Sequence, residues 1–240
     1  MPVCLIYFHT LSGSSIHTMT DITFSIADYP EIRNRGIFLN TKIYEKLTPE
    51  DIKTCACNLD VWVGNALGID SDEEMNIFAD YAIYGYRPNG FNMAEKFLRL
   101  FHNEADDFEL ALLRYMRSAH YVIYQVEETN GVDTFNVVDI YSKVQYKIID
   151  FKLAKSTFKG EIFASHLIDF EGFSIQTGGA LIMAPEILGS DVMKQLIEFM
   201  KDDYPGDFLS YPEIGALLAK NMATAALKLG KGSKVVRVKF

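Results

Sequence analysis

Five lysines, Lys143, Lys147, Lys152, Lys155 and Lys159, fall within seventeen residues and are interleaved with Tyr146, Phe151 and Phe158. Cations spaced among aromatics can follow a single-stranded nucleic acid, the charges tracking phosphates and the rings stacking on bases. The competing reading is that the lysines guard exposed strands while the aromatics fill a core. The aromatics lie in apolar stretches, which favours the second reading. Arg87, in the turn Tyr86-Arg87-Pro88-Asn89-Gly90, is the only base between Lys53 and Lys96. A guanidinium set among acids reads first as an ion-pair hub and second as an anion-binding group. These six residues are the candidate binding residues of the chain.

Other chemistry-bearing residues read as structural. His166 and Asp169 share a predicted strand, and with a distant Ser or Cys they could build a nucleophilic constellation. No nucleophile elbow accompanies them, and His166 is in phase with Ile162, Ala164 and Ile168, so a packed imidazole is expected. Cys55 and Cys57 point in different directions on a helix, and with Cys4 as the third cysteine no zinc set or disulfide framework is visible. Asp70, Asp72, Glu73 and Glu74 lack the alternation and central glycine of a calcium loop and suit the positive end of a helix. Gly178-Gly179 has no following Lys-Ser/Thr and reads as a turn rather than a phosphate loop. No catalytic residue, metal ligand or cofactor is assigned on these grounds.

Charge narrows the partners. The formal net charge is −9, and between Glu45 and Glu109 there are fourteen acids against five bases. Such a front half repels phosphate backbones, so nucleic acid is a disfavoured partner without being excluded. Hydrophobic residues make up 49%, with 17 Phe and 13 Tyr, a composition that can build a core and is far from that of a disordered chain. The apolar run near the N-terminus has no base before it, as a signal peptide would require, and no apolar run approaches the roughly 20 residues of a membrane span. The expectation is a cytoplasmic protein with reduced cysteines and no membrane contact. Residues 1–18 are expected to be ill-ordered or to precede a true start at Met19.

The elements that must position these residues are well punctuated. Thr48-Pro49-Glu50-Asp51 predicts a helix start, with Ile52, Cys55, Ala56, Leu59, Val63 and Ala66 carrying the helix to about Leu67. Ser71/Glu74, Asn92/Glu95 and Asp106/Glu109 predict three more helices, and short connections predict a bundle. Ile22, Phe24 and Ile26 alternate as in a short strand before Pro30. From Ser118 the period falls to two. Strands are expected from His120, across an Asn130-Gly131 hairpin turn, through Phe135–Tyr141, Val144–Leu153, Glu161–Phe170 and Phe173–Met183. A phase slip between Ile148 and Phe151 predicts a bulge or a bend, as expected where a small sheet curls over. After Pro185, one helix is expected across Val192–Met200 and a second after Ser210-Tyr211-Pro212-Glu213. A terminal edge strand is expected over Lys234–Phe240.

The fold class is therefore α+β: an N-terminal helical bundle, a central small curled antiparallel sheet or barrel, and a C-terminal helical pair. The divisions are 1–47, partly irregular; 48–118, helical; 119–185, antiparallel β; and 186–240, C-terminal helices with the terminal strand.

The segments FADYAIYGYRPNGFNMAEKFL, SAHYVIYQV, VVDIYSKVQYKIIDF and GEIFASHLIDFEGFSIQTGGALIMAP, between about residues 75 and 185, resemble a group of uncharacterised bacterial proteins that often precede a C-terminal SEC-C zinc motif. The resemblance implies a soluble bacterial protein and supplies no catalytic residues. The end of this chain, KLGKGSKVVRVKF, has no cysteine, so no zinc ligands carry over.

Three functions follow as expectations. The first is a non-catalytic binding or adaptor protein that presents its β-region to a protein partner, motivated by the absence of a catalytic signature. The second is a single-stranded nucleic-acid module acting through the Lys143–Lys159 cluster. The third is a hydrolase without metal, with its site between the helical and β portions.

Overall fold

The computed structural model describes residues 22–184, 188–189, 193–198 and 211–229. The expectations for residues 1–18 and for the terminal strand fall outside these residues.

Residues 22–25 are extended without joining a sheet. The alternation of Ile22, Phe24 and Ile26 forms no strand, and a helix, α1 (Tyr29–Glu45), follows it and buries Tyr29, Ile32, Leu39 and Ile43. Pro30 lies in the first turn of α1, where its missing N–H has no intrahelical partner to lose, so it starts the helix instead of interrupting a strand.

Helix α2 (Pro49–Asn58) opens as expected: Thr48 Oγ1 accepts from Asp51 N, and the Asp51 carboxylate accepts from Thr48 N. It ends well before Leu67, because Asp60 takes a left-handed conformation with φ 58°. The apolar residues beyond it belong to a small hairpin, β1 (Trp62–Val63) with β2 (Ala66–Leu67), turned at Gly64, φ 62°. Helices α3 (Asp72–Asp80), α4 (Met93–Leu100) and α5 (Asp107–Met116) follow, each with the predicted side chain accepting at its start: Ser71, Asn92 and Asp106. Helix α3 runs straight into a single π-helical turn, Tyr81–Gly85, whose five residues are all buried.

The β-region closes on itself. Strands β3 (His120–Thr129), β4 (Thr134–Asp139), β5 (Gln145–Ile149), β6 (Ile162–Phe170) and β7 (Phe173–Gln176) are joined in the order β3-β4-β5-β7-β6, and β6 pairs back onto β3. All these pairings are antiparallel except β5–β7, which is parallel at Ile148 and Ser174. An eighth strand, β8 (Leu181–Met183), adds to the first residues of β6.

The inner face holds Val122, Tyr124, Val126, Phe135, Val137, Ile148, Phe163 and Leu167. The floor is closed by a one-turn helix, α6 (Leu153–Ser156), which buries Leu153 and Ala154. Of the bulge or bend expected between Ile148 and Phe151, it is the bend that forms: β5 stops because the Asp150 carboxylate accepts from Lys152 N and Leu153 N, turning the chain into α6. The register shift lies instead in β3, between Val126 and Glu128.

One flank of the barrel's outer surface is apolar and covered. Tyr121, Ile123, Ile162, Ala164, Ile168 and Ile175 belong to the same continuous core as the helical residues Ile32, Leu39, Phe78, Tyr84 and Leu112. The C-terminal helix α7 (Pro212–Leu229) packs on β3, β6 and the π turn, contributing Ile214, Leu218 and Met222. Residues 193–198 are helical, as expected for that segment. The molecule is α+β, with helices before and after a closed five-stranded barrel.

Candidate functional site

Asp80 is the last residue of α3 and His166 lies near the middle of β6; 86 positions apart in sequence, they meet in the interface between helices and barrel. His166 Nδ1 is 2.6 Å from Asp80 Oδ2, and the side chains are 2% and 8% exposed, so the pair is shielded from bulk water. A carboxylate accepts, so Nδ1 is the donor of this bond, and in the neutral imidazole that tautomer is the one with its lone pair on Nε2. Thr177 Oγ1 donates to the other Asp80 oxygen. The imidazole is wedged between Tyr121, edge-on at 4.8 Å, and Tyr84 at 5.7 Å. Burial, with the Asp80 charge adding to it, pushes both phenols well above their usual range and keeps them neutral.

Two backbone features seat this pair. The π turn follows Asp80 directly, and such turns recur at functional sites because they re-aim side chains within a helix. Gly179 packs against the carboxylate so closely that a Cβ there would stand 2.7 Å from Asp80 Cβ. The residue must be glycine for Asp80 to occupy this position. Gly178-Gly179 is therefore a turn, as expected, with an added role in seating the acid.

His166 also lines a cleft of about 380 Å³ at the rim of the barrel, where the α5–β3 junction, the β4–β5 turn and the start of α7 converge. Arg87, Arg117, Ser118, His120, Tyr146 and Tyr211 line it too. A second cavity, of about 230 Å³, lies between α1, α3 and the Thr177–Gly179 turn, with Asp80 in its wall. Asp80 and His166 thus stand between two cavities.

Arg87 is the best-placed cation in the cleft. One Nη donates to Ala119 O at 2.9 Å, and no carboxylate lies within ion-pair distance of it among the described residues. The ion-pair hub read from its acidic sequence neighbours is therefore not what forms. Those acids engage elsewhere: Asp51 with Lys96, Glu95 with Arg99, and Glu109 with Lys42. Burial lowers the Arg87 pKa from its ordinary value, with Glu213 and Glu95 opposing that shift through their charges. The turn carrying Arg87 is pinned by Asn92, whose amide donates to Met116 O and Arg117 O at the end of α5. Asp139, the carboxylate lining the cleft, accepts from Tyr141 N and Ser142 N and so holds the β4–β5 turn. Two guanidinium groups against one occupied carboxylate make the cleft a cationic spot on an acidic protein.

The five lysines are strung along the barrel. Lys143 lies in the β4–β5 turn at the cleft end, its Nζ donating to Ile140 O. Lys147 is on the outer face of β5, opposite Asn136. Lys152, Lys155 and Lys159 cluster around α6 at the closed end. The five residues of β5 separate the two ends by roughly 16 Å at about 3.3 Å per residue.

His166 and Asp169 do not meet, because an odd spacing on a strand sends two side chains to opposite faces. Asp169 accepts from Ser174 Oγ and lies 3.7 Å from His120 Nδ1. Cys55 is buried, with its thiol pushed up to about 12 by desolvation, whereas Cys57 is exposed. The acids at Asp70–Glu74 serve the start of α3, where Glu74 N donates to Ser71 Oγ and Asp70 N to the Glu74 carboxylate. No cluster of three metal-ligating side chains occurs among the described residues.

Sequence reasoning missed Asp80, Arg117, Ser118 and Tyr211. For Asp80 a signal exists: it falls three residues after Ile77 within the apolar stripe Ile77, Tyr81, Tyr84, and an acid on a buried helix face needs a partner.

No helix among the described residues is long and apolar enough to cross a membrane. No curated protein and no solved structure matches the chain. The link to proteins that precede an SEC-C motif is not among the findings. A family profile does match, over residues 24–204, and the chain belongs to that family, DUF7986, a family of unknown function.

Proposed function

We propose that the protein binds a small oxyanion-bearing molecule, a phosphate or carboxylate compound, in the cleft at the barrel rim. The observation that carries this is Arg87, whose guanidinium is held on the cleft wall by one backbone bond while no carboxylate pairs with it among the described residues. A planar fork of donors with no carboxylate in direct contact, and only the more distant charges of Glu213 and Glu95 acting on it, is suited to an incoming oxyanion. Arg117 adds positive potential on a further side, while Glu213 in the first turn of α7 offsets that helix's dipole. The cleft volume, about 380 Å³, is in the range of small-molecule sites.

The test is calorimetric titration with inorganic phosphate, pyrophosphate and citrate. At least one should bind, and Arg87→Ala should weaken it about 10- to 100-fold, the worth of a charge-assisted hydrogen bond. Arg117→Ala, which breaks no backbone contact, should weaken it as well. Binding that survives both changes would refute the cleft assignment.

A second reading is favoured by the barrel itself. Five strands in the order β3-β4-β5-β7-β6, with a helix between the third and fourth, resemble the Greek-key barrels that bind oligonucleotides across their second and third strands. Here those strands carry Asn136, Gln145 and Lys147 outward. Oligo-dT in the same titration decides the matter: binding that weakens with salt and with Lys147→Gln, but not with Arg117→Ala, would favour this reading. A protein partner on the β-surface has less support, since the exposed Val144 lies at one end of the barrel and Val132 and Phe158 at the other.

A further inference from the structure

We infer that the cleft is a hydrolytic site in which His166 acts as general base toward an oxyanion-bearing ester; this rests on the anion-binding reading above. A histidine buried only for structure commits both ring nitrogens or packs them against apolar atoms. His166 commits Nδ1 to Asp80 and offers Nε2 no partner among the described residues, while the residue lines a cleft furnished with two guanidinium groups. Asp80 is a positioning residue: it fixes the tautomer that leaves Nε2 basic and stabilises the imidazolium once a proton arrives. Thr177 and the close approach of Gly179 fix the carboxylate in turn, so the arrangement is held from three elements.

The step balances without a redox partner. A water O–H bond breaks and its proton moves to Nε2. The oxygen bonds to the carbonyl carbon or phosphorus of the ester. The ester C–O or P–O bond then breaks, and the departing alkoxide takes the proton from Nε2, giving an acid and an alcohol. Arg87 and Arg117 offset the charge of the oxyanion.

The first measurement needs no substrate. In a ¹⁵N imidazole spectrum at pH 8, His166 should show Nδ1 protonated and Nε2 unprotonated, and Asp80→Asn should shift it away from this tautomer. A protonated Nε2 in the wild-type protein overturns the inference. Adding pyrophosphate should move the Nε2 resonance; an unmoved resonance with the tautomer intact would count against the anion-binding reading and not against the dyad.

The second measurement is turnover of 4-nitrophenyl phosphate and 4-nitrophenyl acetate. A general base contributes about 10²- to 10⁴-fold. His166→Asn should therefore lose at least 100-fold with the rising limb of the pH profile, while Arg117→Ala raises KM for the anionic probe. Equal rates for the wild type and a folded His166→Asn variant on both probes overturn the proposal.

Discussion

Asp80 shows why single residues are the hardest scale to read. Its partners, His166 and Thr177, are 86 and 97 positions away, so nothing local marks the acid as one half of a pair. Cys55 was easier, because its place on an apolar stripe already implies burial. Burial raises the Cys55 thiol from 9.0 to about 12, and it raises the Tyr29 and Tyr81 phenols from 10.0 to about 12. In the unfolded chain all three ionise at their ordinary values, so between pH 9 and 12 that chain sheds protons the fold retains. With pKa values raised in the fold, stability is intact below pH 9 and falls as pH rises through this window. Urea midpoints at pH 8 and 10.5 should show the drop, and Cys55→Ala should lessen it while the buried tyrosines keep the remainder. Iodoacetamide at pH 8 should label Cys57 and spare Cys55. A midpoint unchanged at pH 10.5 would contradict the burial of these groups.

Helix starts were legible because they are local chemistry. An N-cap needs a side-chain acceptor, and an acid three residues on strengthens the signal, which is why the openings of α2, α3, α4 and α5 were predicted where they occur, although the acid reciprocates only in α2 and α5. Helix ends were not, since the left-handed Asp60 that stops α2 has no equally strong signature. The end of β5 was legible only as a bulge or bend in a longer strand, because Asp150 diverts the chain through two backbone bonds. Asn92 joins two elements: its Oδ1 accepts from Glu95 N to open α4, and its Nδ2 closes the end of α5. It is fully buried, so Asn92→Ala removes a cap and leaves two carbonyls short of a donor. The expected loss is about 2–3 kcal/mol by urea denaturation. Asn92→Asp keeps the acceptor but sets a carboxylate against those carbonyls, so it should not rescue. Because the same residue pins the turn bearing Arg87, both variants should also weaken phosphate binding.

At the scale of the molecule, the period change at Ser118 marked the β-region and its approximate strand count, and left a curled sheet and a barrel as alternatives; the structure has the barrel. Closure depends on β6 pairing with both β3 and β7, which are long-range choices that alternation does not encode. Nor did the sequence reveal which outer flank is covered. The barrel can be drawn as a separate unit spanning residues 119–184, yet Tyr121, Ile123, Ala164, Ile168 and Ile175 face the helices and share their core. Exposing them would create an apolar patch of the kind that soluble monomers rarely tolerate. His166 would lose Asp80, and Gln176 O would lose the guanidinium of Arg33 that donates to it at 2.7 Å. The excised 119–184 fragment should therefore be aggregated or unfolded, with no dispersed amide spectrum, while the full chain melts in one transition seen alike by tyrosine fluorescence and far-UV circular dichroism. A soluble, well-dispersed fragment would mean that the helices are an accessory to an autonomous barrel. In that case the cleft, which needs Arg87 from the helical side and His166 from the strand side, would lie between two independent units instead of inside one core.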